Sequence, residues 1–104
     1  MMLSEAHERL WNLIPYGKSN AMTRSHLVVM LDMSDRKVRA MIHDLRAAGK
    51  VICSDTQGKG YWKPTKRQEV QDFIDQMDSY GKQCFNAAKS ARKYMNDHED
   101  QLHF

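Results

Sequence analysis

From Ser34 to Gly49 the chain reads Ser-Asp-Arg-Lys-Val-Arg-Ala-Met-Ile-His-Asp-Leu-Arg-Ala-Ala-Gly, with a helix signal at each end. Ser34 can accept an amide of the first turn, and Asp35 puts negative charge at the positive end of the helix dipole. Gly49 is the left-handed stop expected after Ala48. Inside these limits Val38, Met41, Ile42 and Leu45 share one face at about 100° per residue. The segment predicts a helix over Asp35 to Ala48 whose apolar face needs a core. Its neighbours must supply that core.

They are suited to it. Ser4 can cap a first helix with an inward stripe of Ala6, Leu10, Leu13 and Ile14, ended by Pro15 and Gly17. Lys18 to Met22 reads as a short polar connector. Thr23 can cap a second helix through Leu31, in which Leu27, Val28, Met30 and Leu31 cover more than one face and predict a helix wedged between neighbours. Asp32-Met33-Ser34 makes the turn into the third helix. Beyond Gly49, Lys50 to Asp55 and Tyr61 to Lys63 read as short strands joined by Thr56-Gln57-Gly58-Lys59-Gly60, where the glycines permit positive φ. Pro64 closes the hairpin. The expected fold is mainly α with a small β-hairpin: a winged helix-turn-helix over residues 1–66, followed by a long C-terminal helix.

That last helix is expected over residues 67–95, with Thr65 as its cap. Val70, Met77, Cys84 and Ala91 recur every seven residues, and Ile74, Gly81, Ala88 and Met95 repeat four residues out of phase. This is an a/d seam over about four heptads, the pattern of a dimerising helix. Gly81 is its weak point, costing about 1 kcal/mol relative to Ala inside a helix. It either breaks the helix or lets a partner approach closely, and continuity is the reading adopted. The seam closes against a second copy or folds back on the first domain; a homodimer is the simpler expectation. Residues 96–104 read as a polar tail.

The charge is unevenly distributed. Between residues 18 and 67 there are eleven lysines and arginines against four aspartates, a net of +7, whereas residues 1–17 carry −1 and residues 68–104 carry −3. Positive charge thus gathers on the helix-turn-helix segment, as a polyanion binder requires. The longest apolar run, Leu27 to Leu31, is too short to cross a bilayer. The first residues lack the pattern of a secretory leader. Cys53 and Cys84 have neither metal-ligand nor disulfide spacing, which points to a reduced, cytoplasmic protein with both as small apolar residues.

On the third helix Arg36, Ala40, His43 and Ala47 fall opposite the apolar face, flanked by Arg39 and Lys37. Long basic side chains beside small residues suit a major-groove reader, since arginine bonds guanine bidentately and alanine lets the backbone approach. Arg36, Lys37, Arg39, Ala40 and His43 are the base-facing candidates. Thr23, Arg24 and Ser25, with His26, open the second helix, where free amides favour a phosphate. Gly58, Lys59 and Gly60 form the wing tip, with Lys59 placed for a phosphate or minor groove. No catalytic, cofactor or metal constellation competes. His98 and His103 with Glu99 and Asp100 belong to the polar tail, His7 and His26 lack a triad spacing, and Trp11 and Trp62 read as partial core. An enzyme is not expected.

The run Ser34-Asp35-Arg36-Lys37-Val38-Arg39 through Ile42, Leu45-Arg46 and Gly49 resembles the helix-turn-helix at the N-terminus of biotin repressors. The stretch Leu45-Arg46-Ala47-Ala48-Gly49-Lys50-Val51-Ile52-Cys53-Ser54-Asp55, with Gly60-Tyr61-Trp62-Lys63-Pro64 and a long helix from Glu69 to Met95, is similar to small winged-helix proteins of phages, prophages and mobile elements of Gram-positive bacteria. This resemblance implies a DNA-binding regulator or replication-associated protein. The biotin-ligase domain is absent from this sequence, so cofactor sensing does not carry over. The expected partners are double-stranded DNA and a second copy of the chain. A module that binds host proteins and a replication-origin binder remain the alternatives.

Overall fold

The computed structural model describes residues 3–55 and 60–98. Ser4 opens helix α1 (Glu5–Leu13) through a capping box in which histidine stands where Glu or Gln is usual: Ser4 Oγ accepts the His7 amide at 3.4 Å and His7 Nδ1 accepts the Ser4 amide at 3.0 Å. A single 3-10 turn at Lys18–Asn20 leads to helix α2 (Arg24–Leu31), where Thr23 Oγ1 accepts the His26 amide at 3.2 Å. Asp32 ends α2 in the left-handed region (φ 51°) and turns the chain sharply. Ser34 Oγ then accepts the Lys37 amide at 3.1 Å and starts helix α3 (Asp35–Ala47). The helix stops one residue short of the expected Ala48, which serves as its cap, and Gly49 follows at φ 95°.

These three helices close on one core. Leu10, Ile14, Leu27, Leu31, Val38, Met41, Ile42, Leu45 and Ile52 are all buried, none more than 4% exposed. Burying each such side chain contributes about 1.5–3 kcal/mol. The expectation for α2 needs correction: Val28 is only half-buried, and Met30 and its neighbour Val29 face solvent at 51% and 77% exposure. The reason is geometric. In a two-turn helix Leu27 and Leu31 lie one above the other, and that single stripe is what meets the core.

The hairpin is also shorter than expected. Strands β1 (Cys53–Ser54) and β2 (Tyr61–Trp62) pair antiparallel, Cys53 opposite Trp62 and Ser54 opposite Tyr61. Lys50, Ile52 and Lys63 have backbone groups engaged elsewhere. The Lys50 amide returns to Leu45 at the exit of α3, and the Ile52 carbonyl accepts from the Arg46 side chain. Lys63 donates to the Pro15 carbonyl at 2.7 Å and accepts from Gly17, in a parallel bridge with Tyr16. Met22 and Tyr61 exchange both backbone hydrogen bonds, at 2.9 and 2.8 Å, so a one-residue third strand ties the α2 entry to the hairpin. Gly60 (φ 111°) lies against the Met22 carbonyl so closely that a Cβ would collide with it.

Helix α4 (Arg67–Asp97) is 31 residues long, roughly 46 Å, and continuous through Gly81. At its start Glu69 rather than Thr65 supplies the side chain: its carboxylate accepts the Thr65 amide at 3.0 Å and the Lys18 amide at 3.4 Å. At its end Asn96 and Asp97 are helical rather than part of the polar tail, and the His98 ring stacks on Tyr94 with centroids 4.2 Å apart. By its contacts the chain divides into two units, residues 1–73 and residues 74–104. None of the α4 residues is buried. No helix among the described residues is long and apolar enough to cross a membrane.

Candidate nucleic-acid interface

The two faces of α3 are cleanly separated. Val38, Met41, Ile42 and Leu45 are buried, and Arg36, Lys37, Arg39, Ala40, His43 and Ala47 are exposed. Among the described residues, the side chains of Arg36, Lys37 and His43 have no hydrogen-bond or ion-pair partner. Their donors are open to an outside acceptor.

Arg39 is held differently. Its Nε lies 3.1 Å from Asp35 Oδ2 one turn back, while Arg24 Nε of α2 lies 2.5 Å from Asp35 Oδ1. One carboxylate in the first turn of α3 therefore holds two guanidinium groups, one from each helix. All three side chains are about half exposed, so the bridges add little stability, about 0.2–1 kcal/mol each. Their consequence is positional: two long side chains are kept from sampling other rotamers. Arg24 also lies 3.5 Å from the Tyr61 hydroxyl, and Tyr61 and then Asp35 raise its guanidinium above its ordinary pKa. The role of Asp35 as a shared clamp is invisible in the sequence, where it reads only as a helix-dipole residue.

Beside this cluster lies a shallow polar depression of about 400 Å³, lined by Thr23, Arg24 and Ser25 from the start of α2 and by Ser54, Asp55, Gly60 and Tyr61 from the hairpin. The Met22–Tyr61 bridge brings the two sides together. The structure thus gathers Thr23, Arg24, Ser25 and Gly60 at one place, and Asp55 adds an acidic group that the sequence reading did not place there. Gly58 and Lys59 lie outside the described residues.

Two of the eleven positive charges counted between residues 18 and 67 are engaged within the fold, Arg46 half-buried and Lys63 buried. Arg46 donates to the Ile52 carbonyl from Nε at 3.0 Å and Nη2 at 2.8 Å, and to Ser54 Oγ at 3.2 Å, with its guanidinium near the Tyr61 and Phe73 rings. Burial lowers its pKa. Lys63 is only 6% exposed, its Nζ 4.3 Å from the centre of the Trp11 ring and 4.9 Å from that of Tyr16; burial first, then Lys50, lowers its pKa. Both residues stabilise the fold through their hydrophobic stems and charged heads together.

None of the remaining candidates lines that depression. His7 Nε2 lies 2.9 Å from Asp44 Oδ2 and ties α1 to α3. Cys53 is buried, which raises its thiol pKa, whereas Cys84 is exposed on α4. Among the described residues no three His, Cys, Asp or Glu side chains gather as a metal site; Glu99, Asp100 and His103 lie outside them. On the seam of α4, Val70 and Ala88 are half-buried, while Ile74, Met77, Gly81, Cys84, Ala91 and Met95 are exposed. Tyr80, Phe85 and Tyr94 are exposed as well. No family model matches this chain, and neither a curated protein nor a solved structure matches it.

Proposed function

We propose that this chain is a winged helix-turn-helix that binds double-stranded DNA with sequence preference, as a homodimeric regulator of the kind found in phages and mobile elements. One observation carries the reading: α3 buries four apolar residues and turns Arg36, Lys37, Arg39, Ala40 and His43 outward. Arg36 and Arg39 then address base edges, Ala40 permits close approach, and His43 and Lys37 flank the contact. The opening of α2, with Thr23, Arg24 and Ser25, takes a phosphate and sets the register, while Lys59 at the wing adds a contact that does not read sequence. A replication-origin binder would use the same chemistry. The exposed apolar seam of α4 supports pairing of two copies, which would present two α3 helices to an inverted repeat.

Fluorescence anisotropy on random duplex DNA across a salt series, followed by selection of preferred sites, tests this reading. Steep weakening with salt and an enriched inverted repeat are expected. Arg36→Ala should cost about 1–3 kcal/mol at the preferred site and relax the preference there. Equal loss on every duplex would remove α3 as a base reader, and no binding at low salt would remove DNA. The exposed Tyr80, Phe85 and Tyr94 favour one rival, a module that binds another protein through α4. That rival requires activity to survive neutralisation of Arg36, Arg39 and Lys59 but not disruption of the seam.

A further inference from the structure

An amphipathic helix derives its stability in water chiefly from packing its apolar face, yet α4 buries none of its residues. What covers that face is written in the charge order along the helix. Residues 69–80 carry Glu69, Asp72, Asp75 and Asp78 with no lysine or arginine, and residues 81–96 carry Lys82, Lys89, Arg92 and Lys93 with no aspartate or glutamate. A copy laid alongside in the same direction would set acid against acid and base against base. A copy laid in the opposite direction sets each acidic half against a basic half.

Side-chain size gives the same answer independently. In a parallel pair each seam residue meets its own copy, so Gly81, Cys84, Ala88 and Ala91 make four successive thin layers that leave the interface underfilled. Reversing one helix about a point between residues 81 and 84 changes every layer. Ile74 then meets Ala91, Met77 meets Ala88, and Gly81 meets Cys84, with Val70 and Met95 closing each end. On the flank Tyr80 meets Ala87. Two of the four distinct layers thus set a large residue against a small one, and Asp78 and Arg92, the charges that directly border the seam, come to the same side of the pair.

We infer that α4 pairs antiparallel with α4 of a second copy of this chain, crossing at Gly81 and Cys84. This deepens the homodimer reading and rests on it. The crossing residues let the axes approach, and the charge halves fix the direction and disfavour the parallel alternative.

Sedimentation equilibrium of the full chain under reducing conditions comes first, and a dimer is expected. A monomer at all concentrations would sink the homodimer reading and this inference with it, leaving DNA binding to be judged separately. Orientation is then read in a Cys84→Ala background, with the buried Cys53 retained and the parent chain as blank. A Met77→Cys chain is mixed with a size-tagged Ala88→Cys chain, equilibrated under reduction and oxidised. Antiparallel pairing predicts that the mixed disulfide dimer dominates. Disulfide homodimers of either variant would show a parallel pair, and a dimer without cross-links would place the interface elsewhere; each overturns the inference. Asp78→Arg or Arg92→Asp alone should weaken self-association roughly three- to tenfold, and mixing the two variants should restore it. Failure of the mixture to recover would also count against it.

Discussion

The unit spanning residues 1–73 and the helix beyond it are built from the same kind of amphipathic pattern, yet they treat it differently. In the first, Leu10, Leu27, Leu45 and their neighbours are fully enclosed; in the second, Ile74, Tyr80, Phe85, Tyr94 and Met95 remain 44–65% exposed. Periodicity marks which face of a helix is apolar without naming what covers it. For α1, α2 and α3 the cover is one of the other two, brought near by turns of a few residues. For residues 74–97 no helix among the described residues follows a short turn to supply that surface, and the proposed second copy would do so.

The largest effect should fall on the enclosed region. Leu45→Ala is expected to destabilise it by about 2–5 kcal/mol, measured by urea unfolding with tryptophan fluorescence as the probe. Met95→Ala at the far end of α4 should leave that transition within about 0.5 kcal/mol while weakening self-association. If Met95→Ala cost as much as Leu45→Ala, the two regions would be one cooperative core, and the comparison would fail.

Gly60→Ala comes next. At φ 111° and against the Met22 carbonyl, an added methyl group must displace backbone, so a loss of about 2–3 kcal/mol is expected in the same unfolding experiment. The damage should be specific to the joint between α2 and the hairpin. Weaker DNA binding alongside the loss of stability would sharpen the reading of the depression there as part of the interface.

Arg46 and Arg36 separate the two uses of positive charge. Arg46→Met leaves the Ile52 carbonyl without its guanidinium donor and should cost about 1–3 kcal/mol of stability, with the salt dependence of DNA binding unchanged. Arg36→Ala should do the reverse: stability within about 0.5 kcal/mol, with affinity and site preference reduced. A normal melting transition for Arg46→Met would mean that its half-buried hydrogen bonds contribute little.

These assignments mark where the sequence was legible. Helix α3 could be read because its determinants are local: Ser34, the Val38/Met41/Ile42/Leu45 stripe and Gly49 all lie within sixteen residues. Continuity of α4 through Gly81 was legible from the heptad repeat on either side of it. What could not be read depends on contacts across the chain. Lys63 looked like one more solvent-facing cation until the fold placed it over Trp11 and Tyr16, and Arg46 until it met Ile52 and Phe73. The short strands have the same cause, since nothing local says that Lys63 will pair with Pro15 and Gly17, or Met22 with Tyr61. The Asp35 clamp needs α2 and α3 already packed before Arg24 can reach it.

The smallest effect tests the comparison most finely. Among the described residues, no atom beyond Gly81's chain neighbours and the adjacent backbone of its own helix lies within 4 Å of a Cβ placed on it, so none of them opposes Gly81→Ala. In an unpaired helix that change should be favourable by about 1 kcal/mol, through lower backbone entropy in the unfolded chain. In the antiparallel pair the same methyl group stands at the crossing, opposite Cys84, and holds the axes apart where they approach most closely. Far-UV circular dichroism on dilute protein should therefore report a more persistent helix, while sedimentation at higher concentration reports weaker association. The opposite signs are what matter: if helix and dimer strengthened together, the seam would not close on Gly81, and the size argument for its partner would lose its central layer.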